Sequence, residues 1–308
     1  MNVAITGACG LLGAHLVAAL LGHHHVVGFD RHPWWGSRRI ELHQGDLGDA
    51  AAREAFISFA KPDLLIHCAA MVNVDACEER PADAYFVNGT ITGLLARAVP
   101  SWCRVVYVTT DGIFRGDAPL SCESDLPCPR TVYGRSKLQG EWETQIATEN
   151  HLIVRTNFYG WSSGIKSTSA EWLYGALQKG DPVTLFDDFW FTPIYVADLV
   201  ESMLALIFSG YNGIFHVAGG ERISKYEFGM RLAATAGFSA ARVRRGSVAD
   251  AGLSAPRPRD MSLSSDKLAA VLRRPAPACN AGLMRFLADR ERTLEDRVSS
   301  RWTTQLEV

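Results

Sequence analysis

The stretch NVAITGACGLLGAHLVAALLG, residues 2–22, decides the fold. Five residues typical of a strand lead directly into a glycine-rich turn, and an apolar run of helix length follows. Gly7, Gly10 and Gly13 occupy the turn, where glycine lets backbone N–H groups approach a pyrophosphate beside the positive end of a helix. The next apolar run, HVVGFD, ends in Asp30. A glycine turn between strand and helix, with an acid ending the next strand, predicts a dinucleotide-binding fold.

Strand-like and helix-like segments alternate through the first half of the sequence, which predicts an α/β fold with a Rossmann-type, doubly wound parallel sheet. The pattern weakens later, where the segment from Glu221 onward is predicted to be helical. We therefore predict an NAD(P)-binding domain at 1–160, joined by roughly 196–220. A smaller C-terminal substrate lobe is predicted at 161–195 and 221–308.

Composition excludes several classes of protein. The 308 residues carry a net charge of −2, so no strong field attracts nucleic acid or an anionic membrane. No apolar run reaches the length of a membrane span, and the N-terminus is expected to be a first strand rather than a signal peptide. Seven cysteines without a C-x-x-C pair favour free thiols and a cytoplasmic location. The three histidines at 23–25 are interpreted as a solvated turn.

Two residues at the end of the second predicted strand bear on the choice of cofactor. Asp30 favours NAD, because a carboxylate accepts hydrogen bonds from ribose hydroxyls and repels a 2′-phosphate. Arg31 leaves NADP open, since a guanidinium pairs well with such a phosphate. Asp46 and Leu47 end the next strand, where adenine would bind. The alternative for Asp46 is the N-cap of a helix.

The segment TVYGRSKLQGE holds Tyr133 and Lys137, which share one face if the segment is helical. A nearby ammonium is expected to lower the pKa of the phenol, so that the pair acts as acid or base near neutral pH. The alternative is an ordinary exposed helix pair. A strand in VTTDGIFRG ends with Thr109 and Thr110, and strand alternation lets only one hydroxyl face the site.

These motifs together resemble the extended short-chain dehydrogenase/reductases over most of the chain. The segments that carry the resemblance also include HCAAMVNVDACEERP, YFVNGT, VRTNFYG and FTPIYVADLVE. The similarity is strongest to the dTDP-4-dehydrorhamnose reductase subgroup. It implies a catalytic triad in which Thr110 binds the substrate carbonyl, Tyr133 delivers a proton, and Lys137 holds the nicotinamide ribose.

The resemblance also implies the residues that surround the cofactor. Three residues after a buried strand would pass beneath it, and Asn88 would lie behind the site. The predicted cofactor site comprises the glycine turn, two strand ends, this floor and the catalytic pair: Gly7, Gly10, Leu11, Leu12, Gly13, Asp30, Arg31, Asp46, Leu47, Cys68, Ala69, Ala70, Asn88, Tyr133 and Lys137.

The predicted substrate site adds residues beyond the triad. Thr110 and Asp111 would contact the sugar, and Asn157 would touch the diphosphate. Arg257 and Arg259 match positions where relatives contact nucleotide phosphate, and the alternative for both is surface salt bridging.

The resemblance implies an NAD(P)H-dependent reductase of a nucleotide-activated 4-keto-6-deoxy sugar. One alternative is an NAD-dependent nucleotide-sugar 4-epimerase, which Asn157 also suits. A second is a non-catalytic, NAD(P)-binding regulatory subunit, as serves methionine adenosyltransferase. A 4,6-dehydratase is disfavoured, because relatives with that activity place Glu after Asp111 and this chain has Gly112.

The chain departs from the family pattern at other positions. Gly112 replaces an aromatic residue and Arg115 replaces an acid. Where some relatives use helix glutamates to hold a metal at a dimer contact, this chain has His15, so no metal is expected. The predicted partner is a nucleotide sugar, with no nucleic acid or membrane, and a homodimer is compatible with the sequence.

Overall fold

Strands and helices alternate in the computed structural model, which describes residues 1–162, 164, 167–252 and 254–302. The remaining residues, 163, 165, 166, 253 and 303–308, belong to the predicted substrate lobe and lie outside the described residues. The strands are β1 (Asn2–Thr6), β2 (His25–Asp30), β3 (Glu41–Gln44), β4 (Leu64–His67), β5 (Arg104–Thr110), β6 (His151–Thr156), β7 (Phe158–Tyr159), β8 (Val183–Phe186), β9 (Trp190–Phe191), β10 (Ile194–Tyr195), β11 (Gly213–His216), β12 (Ile223–Ser224) and β13 (Val243–Gly246). The helices are α1 (Leu11–Leu20), α2 (Ala50–Ala60), α3 (Val74–Glu79), α4 (Pro81–Tyr85), α5 (Ile91–Ala98), α6 (Val132–Ala147), α7 (Ser169–Lys179), α8 (Val196–Phe208), α9 (Lys225–Ala236), α10 (Asp266–Leu272), α11 (Cys279–Ala288) and α12 (Leu294–Trp302).

Seven of these strands form one parallel sheet, in the order β11-β6-β5-β4-β1-β2-β3. Side chains of β1 alternate between two buried faces: Val3 and Ile5 belong to one apolar cluster, and Ala4 belongs to another. Helices α1, α8 and α12 pack against one another on the first face, while α2 and α5 contribute to the second cluster. A sheet covered on both faces explains its apolar strands, and the predicted α/β, Rossmann-type fold is confirmed.

The strand order reverses beside β1, which pairs with β2 on one side and β4 on the other. In such sheets ligands bind at the carboxyl ends of the strands, where the order reverses. The glycine turn follows β1 at this edge, and the segment from Cys68 follows β4. The fold therefore brings both predicted parts of the cofactor site to one crevice.

Three two-stranded pairs lie outside the central sheet, namely β7 with β10, β9 with β12 and β8 with β13. The last pair corrects the prediction that the chain is helical from Glu221 onward, because Val243–Gly246 is a strand parallel to β8. Its sequence, VRRG, lacks the apolar alternation that indicates a strand. Its pairing partner lies about 60 residues earlier, as the register of Val243 with Val183 shows. The predicted division into two domains stays a prediction.

Candidate active site

The glycine turn forms a close backbone cradle. A Cβ on Gly13 would lie 2.0 Å from the carbonyl oxygen of Gly7, and one on Gly7 would lie 2.7 Å from the amide nitrogen of Ala69. Gly7 also has φ of +68°, a conformation that favours glycine. Gly10 caps α1 without a side-chain hydrogen bond, so the first amides of the helix are left for another acceptor. The cradle therefore fits the pyrophosphate of a dinucleotide.

Asp30 lies against this cradle. Its Oδ2 accepts a 2.9 Å hydrogen bond from the Cys9 amide, and its Oδ1 accepts one of 2.9 Å from the His32 amide. The Arg31 guanidinium is 70% exposed and lies 3.9 Å from the Asp46 carboxylate. The carboxylate is thus fixed beside the turn, whereas the neighbouring cation is loosely held.

The N-cap alternative for Asp46 is wrong. Asp49 caps α2, because its side chain accepts a 2.9 Å hydrogen bond from the Ala51 amide. Asp46 instead accepts from the Gly48 amide at 2.7 Å in the preceding turn. Asp46 and Asp49 are both of a residue type that caps helices, and the sequence alone did not show at which of them α2 begins. Leu47, between them, is buried.

The predicted floor of the site follows β4. The Cys68 amide donates to the Thr6 carbonyl at 3.1 Å, and Ala69 and Ala70 are half-buried beside it. Burial raises the pKa of the Cys68 thiol to about 12, against the lowering effect of the Lys137 charge. This thiol therefore stays protonated at neutral pH and acts as part of an apolar floor.

Asn88 is fully buried and holds the loop after this floor. Its amide group accepts from the Met71 N–H at 2.8 Å, donates to the Met71 carbonyl at 3.0 Å and donates to Ser136 Oγ at 2.9 Å. Because Ser136 lies on α6, Asn88 fixes the floor relative to the helix that carries Tyr133 and Lys137. A positioning role fits these contacts.

Sequence analysis missed His67, the last residue of β4. Its Nδ1 lies 2.5 Å from Thr6 Oγ1 and its Nε2 lies 3.1 Å from Thr92 Oγ1, so both ring nitrogens are engaged. Burial lowers its pKa to about 3, with the Lys137 charge adding to the effect. The imidazole is therefore neutral and links three elements beneath the floor. A lone histidine in an apolar strand gives no signal of such a network.

Close packing brings α6 to the end of β5. A Cβ on Gly134 would lie 2.2 Å from the Gly112 carbonyl oxygen, so glycine at 134 permits this approach. Thr110 is buried, and its hydroxyl acts to lower the pKa of the neighbouring Tyr133 phenol. It also accepts from the Gly112 amide at 3.1 Å. Thr109 is buried too, but its hydroxyl has no hydrogen-bond partner among the described residues. Of the two candidate hydroxyls, Thr110 is the one beside Tyr133.

Lys137 lies one helical turn after Tyr133 and is buried. Its ammonium donates to the Val108 carbonyl at 2.8 Å and lies 4.2 Å from the Tyr107 ring centroid. Burial lowers the pKa of Lys137 to about 7, although the charges of Cys68 and Glu141 oppose this. The ammonium is therefore easily neutralised near physiological pH.

The expected lowering of the pKa of Tyr133 by Lys137 is wrong. Burial raises the pKa of Tyr133 above its usual range, and the charges of Asp111 and Cys77 raise it further. Only the Thr110 hydroxyl acts to lower it. The phenol is therefore a proton donor at neutral pH, which suits an acid that protonates an oxygen.

Asp111 is buried beside Thr110. Its Oδ1 accepts from the Thr110 hydroxyl at 3.0 Å and its Oδ2 accepts from the Asn157 amide at 2.6 Å. Burial raises its pKa to about 6, while these hydrogen bonds, the Lys225 charge and the Gly112 amide act to lower it. Asn157 is thus engaged with Asp111. Sequence analysis gave no sign that the Lys225 charge acts on this carboxyl group.

The two predicted arginines border a surface depression of about 290 Å³ with Val248, Ala249, Gly252, Ala255 and Pro256. The Arg257 guanidinium donates to Asp75 at 2.9 Å and to the Ala255 carbonyl at 3.2 Å. The alternative of a surface salt bridge therefore accounts for part of its hydrogen bonding. Of the two cations in this depression, Arg259 is exposed and Arg257 is engaged in part by Asp75.

The departures from the family pattern have distinct surroundings. Gly112 is buried, and a Cβ at this position would lie 3.3 Å from Met261 Cε. The Met261 side chain therefore lies next to the position where relatives carry an aromatic residue. Arg115 makes an exposed 2.9 Å salt bridge with Asp117 and does not contact the triad. His15 is buried, and its Nδ1 lies 2.7 Å from the Leu11 carbonyl oxygen. No group of metal-ligating side chains occurs within the described ranges.

Over residues 1–292 the chain matches the protein family described as the RmlD substrate binding domain. The chain belongs to this family. The dTDP-4-dehydrorhamnose reductase of Mycobacterium tuberculosis is 34% identical over 272 residues, covering 86% of this chain and 85% of the relative. The probable low-salt glycan biosynthesis reductase Agl14 of Haloferax volcanii is 33% identical over 268 residues, which cover 84% of this chain and 88% of the relative.

A solved structure of dTDP-4-dehydrorhamnose reductase from Bacillus anthracis in complex with NADP superposes with a TM-score of 0.84. The two sequences are 27% identical, and the superposition covers 93% of this RmlD-family chain and 98% of the Bacillus anthracis chain. The resemblance to extended short-chain dehydrogenase/reductases is confirmed, as is the prediction of an oxidoreductase. Across the described part of the chain, no helix is both long and apolar enough to cross a membrane.

Proposed function

We propose that this RmlD-family protein is an NAD(P)H-dependent reductase of a nucleotide-activated 4-keto-6-deoxy sugar. The observation that carries the proposal is the position of Thr110, at the end of β5, beside Tyr133, which lies one helical turn from the buried Lys137. Two hydroxyl donors then converge where a substrate carbonyl oxygen would bind. The names of the reductase relatives support the choice of substrate class.

The cofactor would lie along the glycine cradle, with its pyrophosphate against the first amides of α1. Asp30 is fixed where it would accept from the adenosine ribose, which supports NAD. Arg31 is exposed enough to turn towards a 2′-phosphate, and the Bacillus anthracis relative was solved with NADP. We therefore propose that the protein binds both NAD and NADP, and that Asp30 favours NAD.

When bound, NAD(P)H supplies the hydride that reduces the sugar carbonyl. Thr110 would turn its hydroxyl proton from Asp111 to the C4 oxygen and so orient the carbonyl. Tyr133, whose burial keeps its phenol protonated, would transfer its proton to that oxygen. Lys137 would hold the nicotinamide ribose, since its ammonium is already fixed at the Val108 carbonyl. The developing oxyanion would thus be neutralised within a buried site.

A nucleotide-sugar 4-epimerase is the second candidate, favoured by the fixed Asp30 carboxylate and by Asn157 near the triad. It would use the same three catalytic residues without net consumption of reduced cofactor. For the main proposal we also propose a cytoplasmic location, because the seven cysteines are free thiols.

A panel of nucleotide 4-keto-6-deoxy sugars and their 4-hydroxy counterparts tests the proposal. We expect stoichiometric loss of NAD(P)H absorbance with one or more keto sugars, with a single product stereochemistry by NMR. Interconversion of 4-hydroxy sugars without loss of NAD(P)H would instead establish an epimerase. Cofactor binding without either reaction would contradict both and support a regulatory role.

A further inference from the structure

The aromatic ring of Tyr107 lies against the ammonium of Lys137. Tyr107 belongs to β5 and is fully buried, and Lys137 Nζ lies over its ring, 4.2 Å from the ring centroid. A cation over the face of an aromatic ring is attracted by the ring quadrupole, and the attraction is strongest when the cation is shielded from water. Lys137 is only 3% exposed, so this contact lies in the protein interior.

The buried ammonium has few other stabilising contacts. Among the described residues, the Val108 carbonyl is its only hydrogen-bond acceptor, at 2.8 Å. The Glu141 carboxylate lies one turn further along α6, but it accepts hydrogen bonds of 2.8 and 3.2 Å from the Arg155 guanidinium. Burial of a charge is costly unless the charge is paired. The ring of Tyr107 therefore provides a direct stabilising contact in place of a paired carboxylate.

The orientation of this ring is fixed by its hydroxyl group. The Tyr107 hydroxyl donates to the Asn88 carbonyl at 3.0 Å and lies 3.4 Å from the Lys137 carbonyl oxygen. A Cβ on Gly140 would lie 2.3 Å from the hydroxyl oxygen, so glycine leaves the space that the hydroxyl occupies. Tyr107 thus contacts both the residue that holds the floor of the cofactor site and the helix that carries Lys137.

The other titratable groups around the ring and the ammonium are uncharged or paired near neutral pH. His67 is the neighbour of Tyr107 across β4 and β5, with 5.6 Å between the ring centroids, and burial lowers its pKa to about 3. Burial raises the pKa of Cys68 to about 12 and that of Tyr133 above its usual range. It also raises the pKa of Tyr107 well above its ordinary value. Lys137, with a pKa of about 7, is therefore the member of this cluster that titrates near neutral pH.

We propose that Tyr107 is a positioning residue for Lys137, and that its ring keeps the ammonium charged and in place to bind the nicotinamide ribose. The role of Lys137 rests on the proposed function, whereas the contact between ring and ammonium does not. An ammonium has three N–H donors, and two remain for ribose hydroxyls once the Val108 carbonyl has accepted one. Without the ring the uncharged amine is favoured, and the hold on the ribose weakens.

The test measures the pKa of Lys137 in the cofactor-free protein by NMR of isotope-labelled lysine side chains, with the signal assigned by its loss in Lys137→Arg. Tyr107→Phe keeps the ring, so the pKa should stay within about 0.3 pH unit of the wild-type value. Tyr107→Leu removes the ring and should lower the pKa by about 1 pH unit, because the charged form loses its support.

Fluorinated phenylalanines at position 107 test the ring electrons without changing the shape of the side chain. Fluorine withdraws electron density from the ring face, so each added fluorine should lower the pKa of Lys137 further. This series decides the question by itself if Tyr107→Leu does not fold. Fluorescence titration adds a second readout: Kd for NAD(P)H at pH 7 should rise by about 3- to 10-fold in Tyr107→Leu and by less than about 2-fold in Tyr107→Phe.

Tyr174→Leu is the matched control, because Tyr174 is also buried and the Arg290 guanidinium lies 5.0 Å from its ring centroid. This variant should lower Tm without changing the pKa of Lys137. Equal pKa values of Lys137 in Tyr107→Leu and Tyr107→Phe, no response to fluorination, or an equal response to Tyr174→Leu would overturn the assignment. A wild-type protein that reduces no keto sugar would overturn the proposed function and leave the NMR result unaffected, so the two failures are distinguishable.

Discussion

The Asn157 side-chain amide donates a 2.6 Å hydrogen bond to Oδ2 of Asp111, joining the loop after β6 to the end of β5. Asn157 had been predicted to contact the substrate diphosphate. Its observed partner indicates that it holds Asp111 in place beside Thr110. The carboxyl group is buried, and its protonation therefore affects the stability of the fold.

Stability should fall as pH rises across the titration of Asp111. Burial raises its pKa from 3.8 to about 6, so the folded protein holds this proton more tightly than the unfolded chain does. The stabilising effect of the protonated carboxyl is complete below pH 3.8 and is lost as pH rises through about 6. A shift of this size corresponds to about 3 kcal/mol.

Asp111→Asn lacks this titration. Its free energy of unfolding relative to the wild type should therefore increase by up to about 3 kcal/mol between pH 4 and pH 7, measured by urea denaturation. Asp117→Asn, at an exposed salt bridge, should change stability by less than about 0.5 kcal/mol at each pH. A difference between Asp111→Asn and wild type that is constant with pH would contradict the burial argument.

Tyr133→Phe should remove the proton donor and leave the fold intact. We expect kcat to fall by about 10²- to 10⁴-fold, while Kd for NAD(P)H changes by less than about 3-fold. Tyr211→Phe is the control, because its hydroxyl lies 3.4 Å from the Val271 carbonyl, away from the triad. Turnover of Tyr133→Phe at the wild-type rate would exclude Tyr133 as the acid.

Asp30→Ala should weaken NAD relative to NADP. The variant removes the acceptor expected to bind the ribose hydroxyls and also the partner of the Cys9 amide, so both nucleotides should bind less well. Loss of the negative charge should spare NADP in part, and the ratio of Kd for NAD to Kd for NADP should rise by about 10-fold. Asp30 would not be the ribose ligand if fluorescence titration gave an unchanged ratio.

Gly13→Ala should disrupt the cofactor cradle. Its Cβ would meet the Gly7 carbonyl oxygen at 2.0 Å, and two backbone segments would have to separate. We expect NAD(P)H affinity to fall by at least about 10-fold, measured by fluorescence, together with a lower Tm. Gly175→Ala on α7, where no atom lies within 4 Å, should instead stabilise the protein by about 0.5–1 kcal/mol. Equal effects of the two substitutions would contradict the close approach.

Arg257→Ala should raise KM for the nucleotide sugar by about 10-fold and leave kcat within about 3-fold, because the cation is proposed to bind phosphate away from the triad. Arg115→Ala, at an exposed salt bridge, should leave both constants unchanged. An effect of Arg257→Ala on kcat alone would argue for a role in the chemical step. Steady-state kinetics at saturating NAD(P)H distinguish these outcomes.

Local sequence patterns were sufficient for the fold and for part of the site. The strand, glycine turn and helix around Gly7 are contiguous, and the spacing of Tyr133 and Lys137 follows from helical periodicity. Strand alternation left Thr109 and Thr110 as equal candidates, and only the family resemblance favoured Thr110 at the level of the sequence. Likewise, both Asp46 and Asp49 are good caps, and only the backbone shows which of them begins α2.

Long-range contacts explain what the sequence did not reveal. The charge of Lys225 acts on Asp111 from a helix more than 100 residues later, and no motif indicates this. Met261 beside Gly112 and the strand at Val243 depend in the same way on pairing between distant segments. The pKa of Tyr133 was predicted in the wrong direction because the motif gives the distance along the helix but not the depth of burial.

Helix α12 packs against α1 and α8, and Glu295 accepts a 3.1 Å hydrogen bond from the Arg38 amide in the loop between β2 and β3. The apolar residues Leu294 and Val298 are buried in the same cluster as the first strand. Chimaeras between relatives therefore require two junctions rather than one. A hybrid that exchanges the predicted substrate lobe must keep α12 together with the α1 against which it packs, or replace both helices.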